Sequence, residues 1–400
     1  MVPRDVTDDA KKLAHKKTGI PPNRILISAT HTHTAPTLSG VFQSDPDEAY
    51  RKQLKKQIAA GIAKAVSHLE PAKIGWAVGK DETQVYNRRW LMKSGVLNPD
   101  PFGKTTDKVR MNPGYQHEGL VKPAGPIDPS ISIVSVQSVK GRPIGLLANY
   151  SLHYVGGVTP LSADYFGAFA ERMAQLLKAE DKERPFVGMM SNGTSGDINN
   201  INYGGPRPNR RRPYEQIRVV ANSVAEATLE AYKTINHKPW VSLDMAQADI
   251  SFRVRLPNEK ELVRAKDILT KAKHAPTKPK QPVLKTREQI YARETILISK
   301  YPTKKNVILQ AIRIGDLGIC AIPCEVFVEI GLELKKKSPL NPTFTIELAN
   351  GYNGYLPTPR QHKLGGYETW RARSSYLEVG ASLKITRTLL KLLRKVAKSK

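Results

Sequence analysis

The apolar positions of this chain change period several times, and each change marks an element. Val6, Ala10, Leu13 and Ala14 recur at helical spacing and stop at Gly19 before Pro21 and Pro22, which predicts a short amphipathic helix over 5–18. The run 25–36, ILISATHTHTAP, reads as a buried strand of β-branched residues emptying into a polar loop. In extended backbone His31 and His33 would point to the same side of that loop. Tyr50, Leu54, Ile58, Ile62, Val66 and Leu69 form one stripe of a surface helix over 47–69, ended by Pro71, and 73–78 reads as a strand.

Two alternating runs, 131–139 and 143–152, are separated by Lys140, Gly141 and Arg142, which predicts a hairpin whose second strand runs into His153. A helix over 164–180 follows, then a strand, 186–190, ending in SNGTSGDINN. Residues 214–235 read as an amphipathic helix and 240–256 as a strand. Residues 258–301 read as two basic helices split by HAPTKPKQP, the second opened by a Thr286 to Gln289 capping box, and are taken as a peripheral insertion. A hairpin over 307–322 turns through Gly315, Asp316 and Gly318 and leads into PCEVFVEIGLELKKK, where Glu325 stands at a strand-to-helix junction. A strand over 343–348 runs into ANGYNGYLPT, and a basic amphipathic helix over 377–398 closes the chain. Residues 87–128 show little periodicity; a loop of that length, rich in Gly, Pro and Asn, predicts a functional or a disordered segment. The whole predicts an α/β protein of mixed β-sheets flanked by helices, with one large catalytic domain over 1–400 and no internal repeat.

Composition narrows the function classes. With 400 residues and 40% hydrophobic content, the chain can bury a sizeable core. Lys and Arg exceed Asp and Glu by 63 to 36, giving +27, which would attract phosphates and anionic lipid surfaces. That excess is spread over many elements without interleaved aromatics or a nucleic-acid motif, so nucleic acid is not the expected partner. No apolar stretch is long enough to span a membrane, and MVPRDVTDDAKKLAHKK has no apolar signal core. Cys320 and Cys324 are too few for a disulfide framework or a thiolate zinc cluster.

Four expected strand ends carry groups able to bind metal or move protons: His31 with His33, His153, Asp197 and Glu325. Strand ends feeding loops are where α/β sheets place their sites. Two imidazoles and a carboxylate with an open position make a standard catalytic zinc centre without a thiolate. A single His at a strand end is more often structural, but a His-x-His pair shifts the balance toward function. The pair would also suit an amidohydrolase barrel or a metallo-β-lactamase-type fold. Neither gains support, since His33 is followed at the second position by Ala35, strand and helix do not alternate through eight units, and no HExxH occurs.

THTHTAP resembles the THTHSGP signature of the neutral/alkaline, non-lysosomal ceramidase family, and four further blocks follow in that family's order. ANYSLHYVGG with LSADYFGAF is similar to its second histidine block, and NGTSGDINN to its Gly-Asp-Val-Ser-Pro-Asn block. IPCEVFVEIG resembles its Pro-Gly-Glu-Phe block, and NGYNGYLPT with GGYET its Asn-x-Tyr-x-x-Tyr segment. The resemblance implies a Zn²⁺ ion held by His31, His153, Glu325 and Tyr355, with His33 as a proton handler. Asn87-Arg88-Arg89 is similar to an Asn-Arg-Ser segment of the family, which implies that Arg88 holds a substrate oxygen, and Asp197 is expected to orient a ligand histidine or the attacking water.

This sequence departs from the family at the position of its catalytic serine, where Asn199 stands; Ser195 lies on the other side of the turn. An amide cannot attack, though it can donate to an oxyanion. Cys324 replaces the glycine before the glutamate, either as a packed small residue or as a soft group near the metal. Family members usually carry a strand-rich segment and, when secreted, a signal peptide ahead of the equivalent of residue 1. That implies an N-terminally incomplete domain here and, in that case, a secreted or periplasmic protein. Characterised members also carry a C-terminal immunoglobulin-like domain, and none is expected in this chain. The expected function is zinc-dependent hydrolysis of a small-molecule or lipid amide, such as an N-acyl lipid, by zinc-activated water. The alternative is a catalytically retired binding protein with a basic surface for anionic lipids or polymers.

Overall fold

The computed structural model describes residues 1–179, 183–275 and 283–398. The last residue of the 164–180 helix expectation and most of the HAPTKPKQP segment, 276–282, lie outside the described residues.

The chain opens with α1 (Arg4–Thr18), closed by Gly19 at φ 75°, and continues through α2 (Glu48–Ser67), capped by Asp47. The half-buried stripe of α2 packs against α1, while Leu69 is left exposed. Between them the expected strand over 25–27 does not form. Only Ser28 pairs, with Ala349, and the segment runs as irregular chain anchored by the Ala29 amide on the Leu348 carbonyl. An apolar run marks a buried segment but does not specify a ladder partner.

Strand β1 (Ala72–Lys80) is followed by β2 (Tyr86–Asn87), β3 (Arg89–Met92), β4 (Val109–Met111) and β5 (Leu120–Pro123), so the aperiodic 87–128 region holds several short strands. Next come β6 (Ser130–Ser138), β7 (Pro143–Tyr150), α3 (Asp164–Leu176), β8 (Val187–Asn192), β9 (Ile198–Asn199) and α4 (Glu215–Lys233). The second half comprises β10 (Leu243–Arg253), α5 (Glu259–Lys271) and α6 (Arg287–Ile298), the last with its capping box formed by Thr286 and Gln289. It continues through β11 (Lys304–Ile314), β12 (Leu317–Ala321), β13 (Glu325–Val326) and α7 (Val328–Lys337). The chain ends with β14 (Thr343–Ile346), β15 (Tyr355–Leu356), α8 (Pro359–Leu364) and α9 (Ala381–Ala397).

Two four-stranded mixed sheets, β1-β6-β7-β8 and β10-β11-β12-β14, pack face to face. Trp76 and Val134 of the first meet Ile319 and Phe344 of the second in a shared apolar layer. Helices α3 and α4 cover the outer face of the first sheet, and α7 and α9 that of the second. This is the α/β architecture of mixed sheets flanked by helices expected above. In each sheet the last pairing is parallel, β7 with β8 and β12 with β14, and the Glu347 amide on the Asn192 carbonyl ties the two carboxyl ends together. Carboxyl ends of parallel strands are where such sheets bind ligands, and the candidate residues gather there. The second helix of the basic pair is deeply set: Tyr291, Glu294 and Ile298 are buried, and Arg373 clamps the Glu294 carboxylate at 2.7 and 2.9 Å.

Candidate metal centre

His31 arrives at the site on unusual backbone. Its φ of 68° lies in the left-handed region, which costs a non-glycine residue on the order of 1 kcal/mol or more and is concentrated at functional sites. The extended alternation expected of His31 and His33 is therefore absent. Their rings nevertheless lie 4.8 Å apart, edge to face, because the kink turns both toward one recess.

His153 lies three residues beyond the end of β7. The loop after it is pinned by Asp164 at the head of α3, whose carboxylate accepts the amides of Val155 at 2.9 Å and Gly156 at 2.8 Å. His153 Nδ1 lies 3.0 Å from the Ser195 carbonyl. A carbonyl can only accept, so this bond assigns the proton to Nδ1 and leaves the Nε2 lone pair bare. That lone pair faces Glu325 Oε2 at 4.0 Å, and His31 Nε2 lies 3.1 Å from the same oxygen.

Glu325 and Tyr355 are register partners in the parallel β13/β15 pair, which sets their side chains beside each other. Burial alone would raise the Glu325 pKa, but His31, Tyr355 and Arg88 together outweigh it and hold the carboxyl at about 2. Burial, ahead of the charge on Arg88 and the neighbouring imidazoles, pushes the His153 pKa well below its ordinary value. His33 has an exposed edge yet sits in a recess, and desolvation there followed by the charge on His31 lowers its pKa to about 3.

Two imidazoles and an ionised carboxylate form a donor set that suits a divalent cation. The lone pair of His153 and an oxygen of Glu325 face each other with no proton between them, an arrangement a cation would bridge. The ligand nitrogens of His31, His33 and His153 lie within 4.8 Å of one another, so His33 is a further donor at the same point.

The remaining expected residues surround this point in different ways. Arg88 is buried; its Nη2 donates to the Tyr355 hydroxyl at 3.1 Å and to the Gly196 carbonyl at 2.7 Å. Asp197 is turned toward the Asn87 side chain and the Val328 amide, both at 2.9 Å, rather than toward an imidazole. Its backbone carbonyl accepts the Arg88 amide, so what it orients is the Asn87-Arg88 turn. Asn199 pairs with Tyr86 across β9 and β2, and its Nδ2 donates to Asn112 Oδ1 at 3.1 Å. Cys324 is buried within the apolar core beneath β13, the packed alternative of the two readings above.

Several site residues escaped the sequence reading. Glu347, fully buried, accepts the Ser195 hydroxyl at 2.6 Å and the Val326 amide at 2.6 Å, and so holds both the carbonyl that orients His153 and the strand that carries Glu325. Its signal was an acid closing the apolar strand TFTI, where a charge is expensive unless bonded. Tyr154 stacks on His33 at 3.7 Å, and the Tyr352 hydroxyl donates to Glu325 Oε1 at 2.9 Å; both adjoin residues already singled out. Gly196 is required for close approach, since a Cβ there would lie 2.8 Å from the Glu325 carbonyl oxygen.

A two-sheet α/β fold that gathers three imidazoles at the carboxyl ends of its parallel strands is of a class able to hold a metal ion. Among solved structures it has a neutral ceramidase-like fold. The neutral ceramidase from Pseudomonas aeruginosa aligns with a TM-score of 0.65 and 18% identity, over 98% of this chain and 64% of that one. A second structure, described as a ceramidase complexed with C2, aligns at 0.63 and 14%, over 98% of this chain and 66% of that one. This chain thus spans about two thirds of the length of each. No protein-family model and no curated protein matches the sequence. No described helix is long and apolar enough to cross a membrane.

Proposed function

We propose that this protein is a zinc-dependent hydrolase of linear amides of the ceramidase type, with His31, His153, Glu325 and Tyr355 as the zinc ligands. The observation that carries the reading is the meeting of His31 and His153 on one oxygen of an ionised, buried Glu325. Bound there, Zn²⁺ supplies a Lewis acid that polarises a carbonyl and makes water acidic near neutral pH. The chain's own residues do the rest. His33, at the open edge of the recess, would take the proton of the attacking water and return it to the leaving amine. Arg88 brings a fixed positive charge to the side of the site where Tyr355 stands, suited to a developing oxyanion, and Asn199, at the position of the family's serine, would join it by exchanging its bond to Asn112 or Tyr203. Asp197 holds the Asn87-Arg88 turn, and Glu347 through Ser195 keeps His153 in one tautomer.

The test is zinc analysis of the purified protein together with turnover of N-acyl sphingosines, N-acyl amino acids and simple esters. About one zinc per chain is expected, lost in His31→Ala, with hydrolysis abolished in Glu325→Gln. A metal-free wild type overturns the proposal. Asn199 favours one other reading, a retired binding protein that keeps the pocket. Zinc without turnover of any of these substrates would favour it, and hydrolysis lost in Glu325→Gln would reject it.

A further inference from the structure

The substrate class follows from a cleft beside the histidines. A cleft of about 260 Å³ opens between β4 and the turn that carries Tyr367 and Trp370. Two residues of its wall contact residues of the proposed reaction centre. The Tyr367 ring lies 5.8 Å from that of Tyr355, and Asn112, which lines the cleft, accepts the Asn199 side chain at 3.1 Å. That volume is room for a head group of amino-acid size.

The lining of this cleft carries two arginines and one acid. Neighbouring cations are neutralised: Arg89 by Glu368, Arg264 by Glu288, Arg371 by Glu261. Arg110, on β4, and Arg287, at the head of α6, both line the cleft, and among the described residues neither has a carboxylate within ion-pair distance. Arg287 lies over the Trp370 ring at 5.4 Å, which fixes its guanidinium plane while leaving N–H groups free for a ligand. The one acid in the lining, Asp107, is turned to the Trp370 indole N–H at 2.8 Å. Both guanidinium groups are exposed, and an anionic head group would exchange their water for charge-assisted hydrogen bonds, which a neutral one would not.

We propose that this cleft, adjoining the histidine site through Tyr367 and Asn112, selects amides whose amine half bears an anionic group, a carboxylate or a phosphate, held between Arg110 and Arg287. The inference rests on the amide hydrolase reading for its chemistry, but the cleft's preference for anions can be measured without turnover. Two matched pairs distinguish the sources of charge: N-dodecanoylglycine against N-dodecanoylglycinamide, and N-dodecanoyl phosphoethanolamine against N-dodecanoylethanolamine. Each pair is compared by kcat/KM with the zinc-loaded wild type. Calorimetric titration with the non-hydrolysable N-dodecylglycine and N-dodecylglycinamide gives the same comparison for binding.

The charged member of at least one pair is expected to be favoured about tenfold or more, the worth of one charge-assisted hydrogen bond in a partly open site. Arg110→Ala and Arg287→Ala each reduce the charged-to-neutral ratio, the double variant brings it to about one, and Arg287→Lys restores part of it. Equal treatment of charged and neutral members, or a preference that survives the double variant, overturns the inference. A calorimetric preference without cleavage of any amide upholds the anion cleft and rejects the hydrolase reading.

Discussion

Asp197 provides a pH-dependent test of how the site is supported. Its carboxylate is completely buried and accepts two neutral hydrogen bonds, and burial raises its pKa from 3.8 to about 7, the Val328 and Asn87 bonds only partly opposing the shift. A carboxyl whose folded pKa lies above its unfolded value holds a proton in the folded state that the unfolded chain has lost. Stability therefore falls as pH rises from about 4 to about 7, by about 1.4 kcal/mol per unit, or roughly 4 kcal/mol in all, and is flat above that window with respect to this group. Asn cannot ionise, so Asp197→Asn removes the slope. The new amide also faces the Asn87 side chain, donor against donor, a penalty of about 1–3 kcal/mol that is independent of pH. Urea unfolding of both proteins at half-unit steps from pH 4.5 to 8 separates the two effects, because the histidines titrate alike in both and cancel in the difference. The variant is expected to be the less stable protein at low pH and to gain several kcal/mol on the wild type by pH 8. Parallel stability curves, with a difference that varies by less than about 1 kcal/mol, would refute the burial argument.

Two further substitutions probe the scaffold. In Gly196→Ala the new Cβ meets backbone atoms of Glu325 and Val326 at 2.8 to 3.0 Å, so the strand carrying the carboxylate must move. A loss of about 1–3 kcal/mol of stability and a 10- to 100-fold weaker zinc affinity in chelator competition are expected, and unchanged affinity would uncouple the turn from the site. Glu368→Gln leaves the fully buried Arg89 charge without its counter-ion, though Arg89 Nη2 keeps the Gly365 carbonyl at 2.8 Å. Guanidinium chloride titration is expected to show a loss of about 3–5 kcal/mol.

The long periodic helices and the two hairpins were legible in the sequence because an uninterrupted stripe or alternation specifies a buried face whatever it packs against. The aperiodic 87–128 region hid several short strands, since two to four residues are too few to display a period and their pairing is decided by contacts far along the chain. Residues 25–27 failed in the other direction, an apolar run with no ladder to join. At the site, His31, His33, His153 and Glu325 could be singled out by type and by position at strand ends. Glu347 could not, because its role depends on Ser195 and Val326 arriving from two other elements. Arg110 and Arg287 looked like any others in a basic chain, and only the cleft they share beside the site sets them apart.

The parallel pairing of Glu325 with Tyr355 has a consequence for biogenesis. His31 and Glu325 are 294 positions apart, and Arg88 and Tyr355 are 267 apart, so the pocket is a closure contact between the two ends of the polypeptide. On the proposed ligand set, a nascent chain still short of β15 would lack Tyr355, so the early histidines would wait for the late strands before the full set is assembled. Ion capture would then act as a latch on the finished molecule: it draws on the stability of both sheets at once, and a break between the two halves would release it.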